Sequence, residues 1–187
     1  GIGSFYNGKP LGGIGDVGAI SFHETKNVHC GEGGALLVNN AELVERAGVV
    51  WDMGTNKADF RLDKVSSYEW VDVGSSFYPS ELNAAFLFAQ LTELKKVNKK
   101  RMELWKVYYS QLSDLGARGL FVLPQILADT LHNAHTFYLV TKSIEERDTL
   151  IQSLKEQGIS APFHFQSLHK SAFFSGKHDG PPLSNSD

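Results

Sequence analysis

Disulfide chemistry is closed to this chain, because its 187 residues include a single cysteine, Cys30. One thiol cannot form an internal bridge, and it points to a reducing, cytoplasmic compartment. No apolar run approaches the roughly 20 residues of a membrane span. No leader pattern opens the sequence either, and the start Gly1-Ile2-Gly3, without methionine, reads as a processed or truncated chain. Positive charge is scarce: 18 Lys and Arg stand against 21 Asp and Glu, for a net charge of −3. That leaves no cationic field for nucleic acid or anionic lipid, so a phosphate-bearing ligand has to be held by local geometry. Internal repeats and low-complexity blocks are lacking. What remains is ordinary globular composition, 42% hydrophobic, 21% charged and 11% aromatic, which excludes a disordered chain. The length suffices for a sizeable core and is short for two complete domains.

Glycine crowds the first 18 residues and precedes an apolar run, Val17 to Phe22, which reads as a buried strand. A second strand is expected at Ala35 to Val38, after Gly31, Gly33 and Gly34. Between them lies a polar stretch rich in reactive side chains. Asn40 can cap a short helix with Leu43, Val44 and Ala47 on one face. Residues 51–78 show no sustained period and read as a long irregular connection, of the kind that carries function inside compact domains. Ser80 is an N-cap, followed by an acid in the first turn. Leu82, Ala85, Phe86 and Ala89, then Leu94, Val97, Leu104, Tyr108 and Leu112, predict one helix of about 30 residues that stops before Gly116. Beyond it come β-like stretches at Leu120–Leu123 and Thr136–Val140. A helix then runs from the capping box Ser143…Glu146 to a stop at Gly158. The tail from Gly176 to Asp187 has no apolar face and reads as loose.

The sharpest local feature is Ser21-Phe22-His23-Glu24-Thr25-Lys26-Asn27, leading from a strand into a loop. Most lysines sit on surfaces. Lys26, however, follows a strand and faces a Gly-Glu-Gly-Gly turn where backbone can approach a ligand closely. A lysine partly withdrawn from water can serve as a nucleophile or general base. Other features read more blandly. His29 and Cys30 offer at most two metal ligands where three or four are needed. His164 and His169 are five residues apart and do not share a helical face. The glycines before Val17 precede a strand instead of following one, so a dinucleotide fingerprint fails. Trp70, Trp105, Tyr108 and Tyr109 read as packing residues.

The run Gly15-Asp16-Val17-Gly18-Ala19-Ile20-Ser21-Phe22-His23-Glu24-Thr25-Lys26-Asn27, with Gly31-Glu32-Gly33-Gly34-Ala35, resembles the lysine segment of the DegT/StrS-type nucleotide-sugar aminotransferases, pyridoxal-phosphate enzymes of fold type I. The likeness continues through Trp51-Asp52-Met53-Gly54-Thr55-Asn56, Gly74-Ser75-Ser76-Phe77-Tyr78-Pro79-Ser80, Asn83-Ala84-Ala85 and Ala89-Gln90-Leu91. It extends to Asn133-Ala134-His135 and to His164…Leu168-His169. Within the family it is most similar to the branch that makes dTDP-4-amino-4,6-dideoxygalactose.

The resemblance implies an α/β fold in three parts: residues 1–78 as the late part of a cofactor-binding large domain, 79–115 as a linking helix, and 116–187 as an incomplete small domain. It implies that Lys26 is the catalytic lysine that holds pyridoxal 5'-phosphate and moves a proton between substrate and cofactor. Ser21 matches the serine on the cofactor phosphate, and Asn27 stands beside the lysine in the cofactor-binding set. Ser76 lies in a loop expected to reach the partner subunit's phosphate in a homodimer with shared sites, although many members have asparagine there. The usual Arg…His-Gly segment is altered to Trp51-Asp52-Met53-Gly54, and the usual proline before Leu168 is Ser167. His23, His164 and His169 are the expected substrate contacts, and for His23 a role in orienting the loop is equally open.

The implied reaction moves an amino group from an amino acid, glutamate foremost, to a 4-keto-6-deoxy nucleotide sugar, as in the synthesis of lipopolysaccharide or another surface polysaccharide. No metal is implied. Family members are longer, and the carboxylate for the cofactor's ring nitrogen falls upstream of Gly1, so these 187 residues are expected to be inactive alone. Two other readings stand beside this one. The chain is a non-catalytic relative that binds the cofactor or a nucleotide sugar, or it is a sugar dehydratase, a branch in which histidine replaces the lysine that Lys26 keeps.

Overall fold

The computed structural model describes residues 1–184; the last three residues of the expected loose tail, 185–187, lie outside it. In chain order the strands and α-helices are β1 (Phe5–Tyr6), β2 (Lys9–Pro10), β3 (Val17–Ser21), β4 (Gly34–Val38), α1 (Val44–Trp51), α2 (Lys57–Arg61), α3 (Glu81–Thr92), α4 (Leu94–Ala117), β5 (Thr130–Leu131) and α5 (Ile144–Glu156). Short 3₁₀ turns occupy Ala41–Leu43 and Leu168–Lys170. The chain divides into two compact units, one of residues 1–114 with 123–138, the other of 115–122 with the chain from Leu139 onward.

In the first unit, β3 and β4 pair antiparallel from Val17↔Val38 to Ser21↔Gly34. A second small sheet has the order β2-β1-β5, antiparallel throughout. The expected burial of β3 is not found: its residues alternate between exposed and half-buried, and Val17 is 51% exposed. A two-stranded ribbon cannot enclose both of its faces. The core lies in the loop that joins the two strands. Phe22, Val28 and Cys30 are buried there, with Ile2, Ile20, Leu87 and Leu94 packed around them. Val28 is completely buried, and burying a valine of this kind contributes about 1.5–3 kcal/mol. The loop closes on itself, since Phe22 N–H donates to Gly33 O at 2.8 Å and Cys30 N–H to Phe22 O at 2.9 Å.

The single long helix expected over 79–115 is two helices. The Thr92 hydroxyl donates back to Ala89 O at 2.7 Å, and Glu93 sits at φ −93°, ψ 0°, outside the helical basin. Such back-bonding competes with the helical ladder and bends it. Helix α4 also continues past Gly116, and its stop is Gly119 at φ +73°. There Leu120 N–H donates to Leu115 O and Gly119 N–H to Gly116 O, a Schellman pair that satisfies the last carbonyls. Helix α5 ends in the same way at Gly158, φ +75°, and starts where the sequence places it, with Ser143 Oγ accepting from Glu146 N–H. Ser80 Oγ caps α3 by accepting from Asn83 N–H at 3.1 Å. The β-like stretches 120–123 and 136–140 reduce to one bridge, Val122↔Val140, and β5 arises where no strand is expected.

Two glycines with positive φ separate conformational cost from steric cost. Gly158 has open space where a side chain would stand, whereas a methyl group on Gly54, φ +79°, would collide with Asp72 O. Gly158→Ala is expected to cost about 1 kcal/mol, and Gly54→Ala about 2 kcal/mol or more. Urea midpoints at unchanged slope measure both, and equal losses would show that the Gly54 approach imposes no constraint.

Candidate active site around Lys26

Lys26 is half-buried in the β3–β4 loop, and its N–H donates to His23 O at 2.9 Å. His23 closes the same turn: its Nδ1 lies 3.0 Å from the Thr25 hydroxyl and its Nε2 3.5 Å from Glu32 Oε1. These contacts tie His23 to its own loop. Ser21, at the end of β3, accepts His23 N–H at 3.3 Å, which leaves its hydroxyl hydrogen to donate elsewhere. Among the described residues no carboxylate forms an ion pair with Lys26.

Asn27 turns the other way, into the protein, where it is 8% exposed. Its Nδ2 donates to Asn98 Oδ1 at 3.0 Å and to Asn133 O at 2.8 Å, and its Oδ1 meets His135 Nδ1 at 3.0 Å. As an expected cofactor contact Asn27 is therefore displaced inward: both amide hydrogens and the oxygen are engaged by protein. Of the residues that hold it, Asn98 has no sequence signal, while Asn133 and His135 stand in the matched Asn133-Ala134-His135 segment without an assigned role. Asn98 and Arg101 lie one turn apart on α4, and Trp105 follows on the same face. Arg101 donates to Ala134 O at 3.1 Å and to His135 O at 2.6 Å. Those bonds clamp a turn in which Ala134 takes φ +51°, a conformation that costs a non-glycine residue about 1–2 kcal/mol. Asn133 ties the turn to the start of the chain, its N–H donating to Ser4 Oγ at 3.1 Å and its Nδ2 to Ile2 O at 2.9 Å.

Trp105, 6% exposed, packs against Tyr109, His132 and Phe137 at centroid distances of 5.1, 4.6 and 5.4 Å. The expected apolar stripe of α4 is covered only in part: Leu94 packs on the core, and Val97 and Leu112 are half-buried, while Leu104 and Tyr108 stay about half exposed. The part of α4 that meets the Asn133–His135 turn, Asn98, Arg101 and Trp105, is polar and aromatic, so a hydrophobic count passes over it. Trp70, read as packing, is 76% exposed and joins Thr55 through a backbone bridge. Ser76 is exposed and its backbone bridges Asp52, whose side chain is buried with Oδ1 unpartnered among the described residues. In the second unit the His164 ring meets Phe165 at 5.8 Å and the His169 ring meets His178 at 5.5 Å. Among the described residues no cluster of three or more His, Cys, Asp or Glu is placed to hold a metal, and no helix is long and apolar enough to cross a membrane.

The Lys26 amine, unpaired among the described residues, and the Ser21 hydroxyl hydrogen, five residues earlier on β3, are groups whose chemistry fits an aldehyde-bearing phosphate ester. With that geometry, the architecture is a partial α/β fold of the type I pyridoxal-phosphate aminotransferases, as likeness to solved structures shows. PseC of Helicobacter pylori, an aminotransferase involved in the biosynthesis of pseudoaminic acid, superposes with a TM-score of 0.82 at 24% identity, over 99% of this chain and 48% of that one. DesV of S. venezuelae matches with a TM-score of 0.77 at 29% identity, over 98% and 46%. The chain belongs to the DegT/DnrJ/EryC1/StrS aminotransferase family, whose model it matches over residues 1–187. Among curated proteins it is 29% identical over 181 residues to the uncharacterized protein MJ1066 of Methanocaldococcus jannaschii, covering 92% of this chain and 46% of the relative. The chain thus spans about half the length of the curated relative it matches. Solved neighbours include both pyridoxal-phosphate and pyridoxamine-phosphate forms.

Burial lowers the pKa of His132, and burial followed by the positive charges of Lys26, Arg101 and the chain's amino group lowers that of His135. With both folded values below the usual 6.5, the unfolded chain binds more protons in that window. The stability they contribute is present above the unfolded pKa and is lost as pH falls toward the folded values. Urea midpoints are expected to drop between pH 7 and pH 5. In a His132→Asn, His135→Asn double variant, which keeps the hydrogen bonds and removes the titration, that drop should shrink. An unchanged drop would assign it to other groups.

Proposed function

We propose that the protein containing this chain is a pyridoxal-phosphate-dependent aminotransferase that moves an amino group from an amino acid, glutamate foremost, to the 4-keto carbon of a 6-deoxy nucleotide sugar, in the dTDP-4-dehydro-6-deoxyglucose class. The observation that carries this reading is the arrangement of Ser21, Lys26 and Asn27 on β3 and its loop, within a chain of sugar-aminotransferase sequence type. Lys26 would hold the cofactor through Nζ, and the Ser21 hydroxyl would donate to a phosphate oxygen. The cofactor, when bound, supplies an electron sink for cleaving the carbon–hydrogen bond next to nitrogen. The role of this chain's own residues is to deliver and accept that proton at Lys26 Nζ, from a loop already ordered before substrate arrives.

Ser76 would act at the partner subunit's site in a homodimer, its hydroxyl replacing an amide donor. His23 orients the lysine turn, while His164 and His169 stand as candidate contacts to the sugar nucleotide. The altered segment Trp51-Asp52-Met53-Gly54 supports the branch that makes dTDP-4-amino-4,6-dideoxygalactose, for surface polysaccharide, in the cytoplasm. Since the chain covers less than half of each relative compared, these 187 residues alone are proposed to show little turnover.

Borohydride reduction of the full protein with pyridoxal phosphate, followed by peptide mapping, is expected to place the adduct on Lys26, and Lys26→Ala should abolish it. An adduct elsewhere, or none, sinks the reading. Heterodimers of a Lys26→Ala chain with a Ser76→Ala chain are expected to regain some activity, because one of the two shared sites would be intact. Inactivity of every mixed dimer would remove Ser76 from the partner's site.

A further inference from the structure

The hydrogen bonds around Asn27 fix the proton positions on two histidines. Asn133 O can only accept, so the end of the Asn27 amide 2.8 Å from it is the nitrogen, and the end facing His135 is the oxygen. An oxygen of that kind can only accept. His135 Nδ1, 3.0 Å away, must therefore donate, and the ring is the Nδ1–H tautomer with its lone pair on Nε2. Three residues earlier the opposite holds: His132 Nδ1 lies 3.2 Å from Ala134 N–H, which only donates, so the His132 proton sits on Nε2. A single turn, clamped by Arg101, thus carries two histidines in opposite tautomers. Only His135 reaches the lysine loop.

Building on the aminotransferase reading, we propose that His135, bonded as the Nδ1–H tautomer to Asn27, is a positioning residue for Lys26. The bond fixes the 26–27 peptide, so that the lysine amine is presented toward the cofactor along one path. Loss of the donor at Nδ1 frees the loop while leaving its apolar pin, Val28, in place. The proposal distinguishes substitutions by atom position: the side-chain amide nitrogen of asparagine falls where Nδ1 stands, that of glutamine where Nε2 stands.

The test uses the full protein and three variants, His135→Asn, His135→Gln and His135→Ala, each checked for a native near-ultraviolet circular dichroism spectrum. Two rates are read on Lys26 by mass spectrometry: covalent trapping with pyridoxal phosphate and borohydride, and acetylation by acetic anhydride, with Lys106 as internal reference. His135→Asn is expected to match the unsubstituted protein in both. His135→Gln and His135→Ala are expected to slow trapping about tenfold or more, because the amine is no longer pre-positioned, and to speed acetylation about threefold as the loop opens. Equal behaviour of the three variants, whether all impaired or all intact, overturns the proposal. A second measurement does not depend on any variant: long-range proton–nitrogen spectra of the unsubstituted protein should show the His135 proton on Nδ1, and a proton on Nε2 overturns the proposal. Failure of pyridoxal phosphate to attach to Lys26 in the unsubstituted protein would instead sink the aminotransferase reading, with acetylation and ring spectra still deciding this one.

Discussion

The side-chain amide of Asn27 is the constraint on which the rest of the first unit depends. It is buried, and burying an amide without partners costs about 1–3 kcal/mol. The fold meets that cost by bringing three remote groups to it: Asn98 on α4, the Asn133 carbonyl and the His135 ring. On the opposite side of the same loop, Val28 is sealed among Phe22, Cys30, Ile20 and Leu87. Lys26 is thus followed directly by a polar anchor, Asn27, and an apolar one, Val28. Its backbone is held on both sides, by its own N–H to His23 O and by the anchored residues that follow.

That arrangement stores strain in a specific place. Ala134 lies in the left-handed region at φ +51°, where a residue with a side chain rests only if its surroundings over-determine it. Arg101 does so, because its guanidinium donates to the two successive carbonyls of Ala134 and His135, and charge-assisted bonds of this type are worth about 1.5–3 kcal/mol each. The strained turn and the lysine loop are separated by more than 100 residues of sequence. Neither has a reason to order alone, since Asn27 lacks partners until the turn docks and the turn lacks its clamp until α4 forms. The site therefore rests on contacts of long sequence separation.

What could be read from the sequence followed from how local each determinant is. The lysine segment was legible because serine, aromatic, lysine, asparagine and glycine stand at fixed offsets within one strand and loop. The caps at Ser80 and Ser143 and the stop at Gly158 were legible because capping chemistry acts within one turn. Asn98, Arg101 and His135 were not, because their roles are set by partners far along the chain, and a buried face of asparagine, arginine and tryptophan breaks the hydrophobic period used to find buried faces. The break at Glu93 was missed for a related reason: the threonine back-bond that produces it leaves no gap in the apolar pattern. The strand reading of 136–140 holds only at Val140, which pairs with Val122, because Phe137 instead packs on Trp105 and Tyr108.

The charge distribution closes the argument about what such a site can hold. The chain as a whole is negative, at −3, so nothing about its overall field attracts an anion. Around His135 the charges that act are positive. Lys26 and Arg101 are both felt by the partly buried His135, and among the described residues no carboxylate pairs with Lys26. Adding a third cation there would be costly, because charges withdrawn from water repel more strongly. The fold keeps His135 neutral by burying it and by using its Nδ1–H as a donor to an amide in place of a carboxylate. A local positive charge is thereby kept accessible at Lys26 instead of being consumed in an internal salt bridge, within an overall negative surface.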